Sequence, residues 1–124
     1  MIEPLSLQTT PDMVEAHAAL VHDFNPLHLD GDFAKTTAFG GPIVHGSLLL
    51  NLLVEAIERS GPDLLGEGRL DLRFSAPVSV GDRITAAGGL SPTECDVVDV
   101  WVSRDDGVKA LTGTLNLRGK RGRE

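Results

Sequence analysis

A carboxylate and an imidazole on either side of a sharp turn are the side chains in this sequence best suited to chemistry. Asp23 and His28 flank Asn25-Pro26, where the proline pushes Asn25 out of the α region and supplies no N–H. If the two side chains converge across the turn, they can hold one water molecule and exchange its protons by general acid–base catalysis. The structural alternative is that Asp23 caps the turn and His28 binds a backbone carbonyl.

A second break in the chain, at Gly40-Gly41-Pro42, precedes a long apolar segment that is predicted to be helical. The first N–H groups of a helix have no partners within it, and the helix dipole favours negative charge there. An N–H at Gly46 could therefore stabilise charge that develops on a substrate oxygen, and glycine lets the substrate approach the backbone closely. The alternative is that Gly46 serves close helix packing. His45 is more typical of a structural imidazole than of a catalyst.

Three stretches of the chain resemble the MaoC-like, (R)-specific enoyl-CoA hydratases. They read DFNPLHLD at 23–30, PIVHG at 42–46 and FSAPV at 74–78, and the D-x-N-P-x-H pattern in the first is the most specific. The resemblance implies an α+β hot-dog fold, in which an antiparallel sheet wraps around a long central helix. It also implies the reversible syn hydration of trans-2-enoyl-CoA to (3R)-3-hydroxyacyl-CoA, without a cofactor.

The same resemblance assigns roles to the residues singled out above. Asp23 and His28 correspond to the catalytic dyad, with the water held between them, and Gly46 corresponds to the donor whose N–H binds the enolate oxygen. Asn25 is expected to position the turn through an Asx-type hydrogen bond. Asp30 is expected to cap the segment that follows.

The chain departs from the family pattern near the dyad and in the long helix. Val21-His22 stand where many relatives have a small pair before the aspartate. Some relatives place a hydroxyl eight residues after the oxyanion glycine, where this chain has Val54. Ser47 and Asn51 are candidate polar substitutes, and the sequence does not choose between them.

Other reaction types find little support. Candidate metal ligands are present, but no HExxH or CxxC spacing occurs, so no metal is expected. The sequence contains neither a G-x-S-x-G elbow nor a glycine-rich phosphate loop. Two alternatives stay open: a hot-dog acyl-CoA thioesterase, and the catalytic subunit of a heteromeric hydratase.

Local signals predict the elements that must position these residues. Thr10-Pro11-Asp12 is typical of a helix start, with a cap, a first-position proline and an early acid. Arg69 to Phe74 alternates between polar and apolar residues, as a strand with one buried face does. Asp105-Asp106-Gly107 indicates a hairpin turn. The predicted elements are an extended segment at 2–8, helices at 11–22 and 43–60, a short helix or ordered loop at 30–38, and strands at 69–74, 83–90, 96–104 and 108–118.

Size and composition limit the remaining possibilities. The 124 residues are expected to form one domain at 1–118 with a polar tail at 119–124. A net charge of −7 argues against nucleic acid or a membrane as the main partner, yet still permits an acyl-CoA or acyl-carrier-protein thioester. Cys95 is the sole cysteine and no signal peptide is visible, which favours the cytoplasm. The exposed edges of one short sheet predict a homodimer joined edge to edge.

Overall fold

A computed structural model describes residues 2–61, 63–66 and 68–118, so the predicted tail at 119–124 lies outside the described residues. Within these ranges, none of the helices has the length and apolar character needed to cross a bilayer. The elements are β1 Ile2–Gln8, α1 Pro11–Val21, α2 Pro26–Leu29, α3 Gly31–Lys35, α4 Gly46–Ser60, β2 Arg69–Phe74, β3 Arg83–Leu90, β4 Val97–Arg104 and β5 Lys109–Asn116.

The strands form one antiparallel sheet in the order β1-β3-β4-β5-β2. Helix α4 packs against β1, β3 and β4, and its buried residues Leu53 and Ile57 are fully enclosed in the aliphatic core. The predicted α+β arrangement of a sheet around a central helix is therefore present. The extended segment predicted at the N-terminus is β1, a fifth strand that pairs with β3 and forms one edge of the sheet.

The long helix begins at Gly46, three residues later than the predicted start at Ile43. Tertiary hydrogen bonds hold the preceding segment extended. The N–H of Ile43 donates to the carbonyl of Leu27 at 3.1 Å, and that of Val44 donates to the carbonyl of Val78 at 2.7 Å. Because these backbone groups bond to distant parts of the chain, the helix starts only after them.

Strand β4 separates the core from the outer surface of the sheet. Val98, Val100 and Val102 are buried on its inner face, as the alternating pattern predicted. Trp101 lies on the opposite face, where the Nζ atom of Lys109 stands 4.4 Å from the ring centroid. The predicted hairpin connects this strand to β5 through Gly107, whose φ of 87° is readily adopted by glycine.

Candidate active site

Helix α1 and the turn after it determine the position of the Asp23 carboxylate. Thr10 caps the start of α1 by accepting a hydrogen bond from the N–H of Met13, and the helix ends at His22 in a left-handed conformation. The N–H of Asp23 then donates to the carbonyl of Ala18 at 3.0 Å. The side chain of Asp23 is about half exposed, so it projects from the end of the helix toward solvent and the residues that follow.

Asn25 shapes the turn in the way the sequence predicted. Its Oδ1 atom accepts a hydrogen bond from the N–H of Leu27 at 3.0 Å, which starts the one-turn helix α2. Its own N–H donates to Oδ1 of Asp23 at 3.2 Å. The turn therefore orients the Asp23 carboxylate and leads directly to His28 on α2. Further along, Asp30 caps α3 as expected, accepting hydrogen bonds from two N–H groups of its first turn.

The His28 ring is held in a defined orientation beside Asp23. Its Nδ1 atom lies 2.7 Å from the backbone carbonyl of Ile43, and because a carbonyl can only accept, Nδ1 carries the hydrogen. In the neutral ring, the lone pair is then on Nε2, which lies 3.9 Å from Oδ2 of Asp23. The carbonyl contact that the structural alternative predicted is present, and it leaves the other nitrogen facing the carboxylate.

Two further histidines, which the sequence analysis did not assign to the site, complete this cluster. His45 is 2% exposed, and its ring stacks on that of His28 with centroids 3.8 Å apart and planes 24° apart. The Nε2 atom of His45 donates to the backbone carbonyl of Asp23 at 3.0 Å. His17 meets the His45 ring edge to face, with centroids 5.0 Å apart. Burial, reinforced by the neighbouring His45, lowers the pKa of His17.

Gly46 is the first residue of α4 and is one of the residues that line an apolar groove of about 350 Å³. A Cβ atom at this position would be 3.0 Å from the Phe74 ring, closer than ordinary contact, so the glycine lets that ring pack against the backbone. Ser47 and Asn51 are exposed and lie outside the groove lining, and the Ser47 hydroxyl is bonded to Nε2 of His17 at 2.7 Å. The groove is lined by Phe39, Ile43, Val44, Gly46, Leu49 and residues 74–78.

Three atoms of the cluster lie close enough together to be considered as metal ligands. One nitrogen each of His28 and His45 and a carboxylate oxygen of Asp23 fall within 4.8 Å of one another. A metal needs lone pairs that converge on one point about 2.0–2.2 Å away. The Nε2 atom of His45 already donates its hydrogen to a backbone carbonyl, so in this tautomer it has no lone pair to offer a metal. The geometry therefore suits chelation poorly.

Comparison with known protein families assigns the chain. Residues 2–96 match the family described as the MaoC like domain. The chain belongs to the MaoC-like family. The residues of the site, from His17 to Val78, all fall within the matched range.

Two of the curated relatives of the chain are a bacterial hydratase and a plant dehydratase. An (R)-specific enoyl-CoA hydratase of Aeromonas caviae is 52% identical over 77 residues, which are 59% of this chain and 55% of that protein. A mitochondrial 3-hydroxyacyl-[acyl-carrier-protein] dehydratase of Arabidopsis thaliana is 34% identical over 71 residues, 57% of this chain and 42% of that protein. The chain thus spans about half the length of these relatives.

A solved structure extends the likeness to most of the chain. The (R)-hydratase from A. caviae, described as involved in PHA biosynthesis, superposes with a TM-score of 0.78 at 37% sequence identity. The superposition covers 91% of this chain and 89% of that one. The expected hot-dog fold is therefore confirmed.

Proposed function

We propose that this chain is an (R)-specific enoyl-CoA hydratase that reversibly adds water to trans-2-enoyl thioesters and yields (3R)-3-hydroxyacyl thioesters. The observation that carries the proposal is the placement of Asp23 and His28. Their facing atoms are 3.9 Å apart, and the His28 ring stacks on His45 at the start of α4 and bonds to the carbonyl of Ile43, which lines the apolar groove. The named activity of the A. caviae relative supports the same reaction.

The separation of the dyad suits a shared water molecule. At 3.9 Å, Oδ2 of Asp23 and Nε2 of His28 are too far apart for a direct hydrogen bond. A water can bond to both at about 2.8 Å each, with its oxygen to one side of the line between them. The dyad takes a proton from this water as its oxygen attacks C3 of the substrate, and a proton is returned to C2. The two groups titrate as one unit, so neither is named as the sole base.

The first N–H of α4 is proposed to stabilise the enolate that forms during the addition. Attack at C3 moves negative charge onto the thioester oxygen. The N–H of Gly46 is in the first turn, where the helix supplies no internal acceptor partner and its dipole favours an anion. The adjoining groove is apolar and can bury the acyl chain while the thioester carbonyl faces Gly46.

We propose that a second copy of the chain covers the mouth of this site. All four phenylalanines are exposed by 45–59% of their surface, and two of them, Phe39 and Phe74, line the groove. The sheet order also leaves β1 and β2 at its edges, where pairing with another sheet is open to them. Sedimentation is expected to give a species of twice the 13.2 kDa chain mass. An active monomer at assay concentration would contradict the dimer.

The other features of the proposal are a single domain at 1–118 with a tail at 119–124, and action in the cytoplasm. Cys95 is free and exposed, which fits a reducing compartment. The carrier is proposed to be CoA. Assays with matched acyl-CoA and acyl-carrier-protein substrates distinguish the two carriers, since the chain resembles enzymes named for each.

Hydration of crotonyl-CoA, followed by chiral analysis of the product, tests the reaction. Asp23→Asn and His28→Ala are each expected to lower turnover by several orders of magnitude. The double variant should be little worse than either, because the two groups act as a unit. Asp32→Asn, a nearby exposed carboxylate on α3, is the matched control and should keep normal turnover.

Two results would overturn the proposal. One is a pair of folded dyad variants with near-normal hydration, which is what the structural alternative predicts. The other is release of free thiol from saturated acyl-CoA without hydration of the enoyl substrate, which would identify a thioesterase. Melting temperatures measured on the same preparations separate loss of chemistry from loss of folding.

A further inference from the structure

The buried imidazole of His45 touches both members of the dyad. We propose that His45 is a positioning residue that fixes Asp23 relative to His28, an inference that rests on the proposed function. It binds the backbone of Asp23 and packs on the ring of His28, while its own Nε2 is 3.9 Å from Oδ2 of Asp23. It acts through the dyad and is not assigned a step in the chemistry.

The hydrogen bond from His45 fixes the backbone from which the Asp23 side chain projects. Nε2 donates to the Asp23 carbonyl at 3.0 Å, across 22 residues of sequence. Asp23 itself is half exposed and stands in the short connection between α1 and α2. A donor from the start of α4 therefore ties this connection to the helix whose first N–H is proposed to bind the enolate.

The ring stack fixes the second member of the dyad. The Ile43 carbonyl holds Nδ1 at the edge of the His28 ring, and His45 covers one face of that ring. Ile43 and His45 belong to the same extended segment before α4, so one stretch of backbone sets both the tilt and the depth of the His28 ring. The 3.9 Å gap of the dyad thus depends on where His45 sits.

The surroundings of His45 fit one tautomer. A hydrogen on Nε2 serves the Asp23 carbonyl, whereas Nδ1 is buried and has no hydrogen-bond partner in the described part of the chain. A hydrogen on Nδ1 would be an unsatisfied buried donor, which is costly. The titratable groups facing the ring are the imidazoles of His17 on α1 and His28 on α2, and the carboxylate of Asp23 between them. The site therefore favours a His45 that donates from Nε2 and leaves Nδ1 bare.

Two substitutions separate the hydrogen bond of His45 from the space it fills. His45→Phe keeps an aromatic ring on His28 but removes the donor to Asp23. His45→Gln keeps an amide N–H near the position of Nε2 but removes the ring. His22→Asn is the matched control, because His22 is an exposed histidine in a left-handed conformation that asparagine tolerates.

We expect His45→Phe to fold, with a melting temperature close to that of the wild type, because removal of the unpartnered Nδ1 offsets loss of the hydrogen bond to the Asp23 carbonyl. Its kcat for crotonyl-CoA should fall by about tenfold or more with KM within about twofold, since misplaced reacting groups are costly in rate. His45→Gln should recover kcat to within about threefold of the wild type. If His45→Phe fails to fold, His45→Met replaces it as the apolar member.

Normal kcat in the folded apolar variant overturns the proposal, and so does a loss in His45→Gln as large as in His45→Phe. A second measurement does not need turnover. Heteronuclear NMR of the wild-type imidazoles should place the hydrogen of His45 on Nε2 and that of His28 on Nδ1. If the hydrogen of His45 is on Nδ1 instead, the positioning role is wrong, whether or not the protein hydrates enoyl thioesters. If the tautomers are as expected but the wild type is inactive, only the proposed function is wrong.

Discussion

A methyl group at Gly46 provides a sharp test of the oxyanion assignment, because its effects on folding and on turnover should have opposite signs. The added Cβ would lie 3.0 Å from Cε1 and 3.2 Å from Cζ of Phe74, closer than the 3.4–4 Å of ordinary contact. The Phe74 ring is 55% exposed and can move by the few tenths of an ångström required. The fold should therefore tolerate Gly46→Ala.

The expected magnitudes follow from the position of Gly46. Replacing glycine by alanine stabilises a helix interior by up to about 1 kcal/mol, and by less at the first position. Stability should therefore stay constant or rise slightly. The methyl group, however, and the Phe74 ring that it displaces would both crowd the groove lining beside the N–H that a thioester must reach. Loss of one oxyanion donor lowers turnover by about 10²–10³, or roughly 2.7–4 kcal/mol. Gly46→Val should reach this range, and Gly46→Ala should fall between it and the wild type.

Crotonyl-CoA hydration and thermal unfolding, measured on the same preparations, test this expectation. Gly31→Ala is the matched control, since Gly31 is the first residue of α3 and a Cβ there meets nothing within 4 Å. Adding Phe74→Leu to Gly46→Ala separates the causes: turnover returns if displacement of the ring was at fault and stays low if the N–H is blocked. A folded Gly46→Val variant with near-normal turnover would refute the assignment.

Two further predictions concern stability. The pKa of His17 is lowered in the folded protein. As the pH decreases through the unfolded value of about 6.5, the unfolded chain therefore binds more protons at this residue than the folded chain does, and the free energy of unfolding decreases. His17→Gln keeps a donor toward Ser47 but cannot take up this proton. When the pH is lowered from about 7.5 to 5.5, its melting temperature should decrease by less than that of the wild type; equal decreases would contradict the reasoning. Asp30→Ala should cost about 1 kcal/mol of unfolding free energy through loss of the α3 cap, and Asp30→Asn much less. Equal denaturation midpoints for the two variants would argue against the cap.

The parts of the fold that the sequence predicted are those with local signals. The alternation in 69–74 corresponds to β2, and the Asp-Asp-Gly turn connects two strands of nearly the expected length. The single Asn-Pro turn between Asp23 and His28 predicts that their side chains converge, and they face each other at 3.9 Å. In each case a local pattern is enough to predict the element or the pairing, although distant residues, such as Ile43 and His45 for the dyad, complete its geometry.

The features that the sequence did not predict depend on contacts between distant residues. The late start of α4 follows from hydrogen bonds to Leu27 and Val78, which a helical pattern cannot report. The placement of His45 depends on Asp23, 22 residues away, and that of His17 on Ser47, 30 residues away. One feature of the sequence indicates that His17 is buried: it follows Val14 by one turn, on the apolar side of α1. A buried imidazole needs a hydrogen-bond partner, but the sequence does not identify it.

The position of Trp101 makes intrinsic fluorescence a selective reporter for these experiments. It is the sole tryptophan, the chain has no tyrosine, and its ring lies on the outer face of β4 beneath the Lys109 ammonium group. Opposite it, on the other side of the strand, are the core valines that separate it from α4. Emission should therefore change when the sheet comes apart and stay constant when ligand fills the groove near Gly46. A single optical signal can then follow the unfolding of every variant described above, in the presence of substrate, without interference from binding.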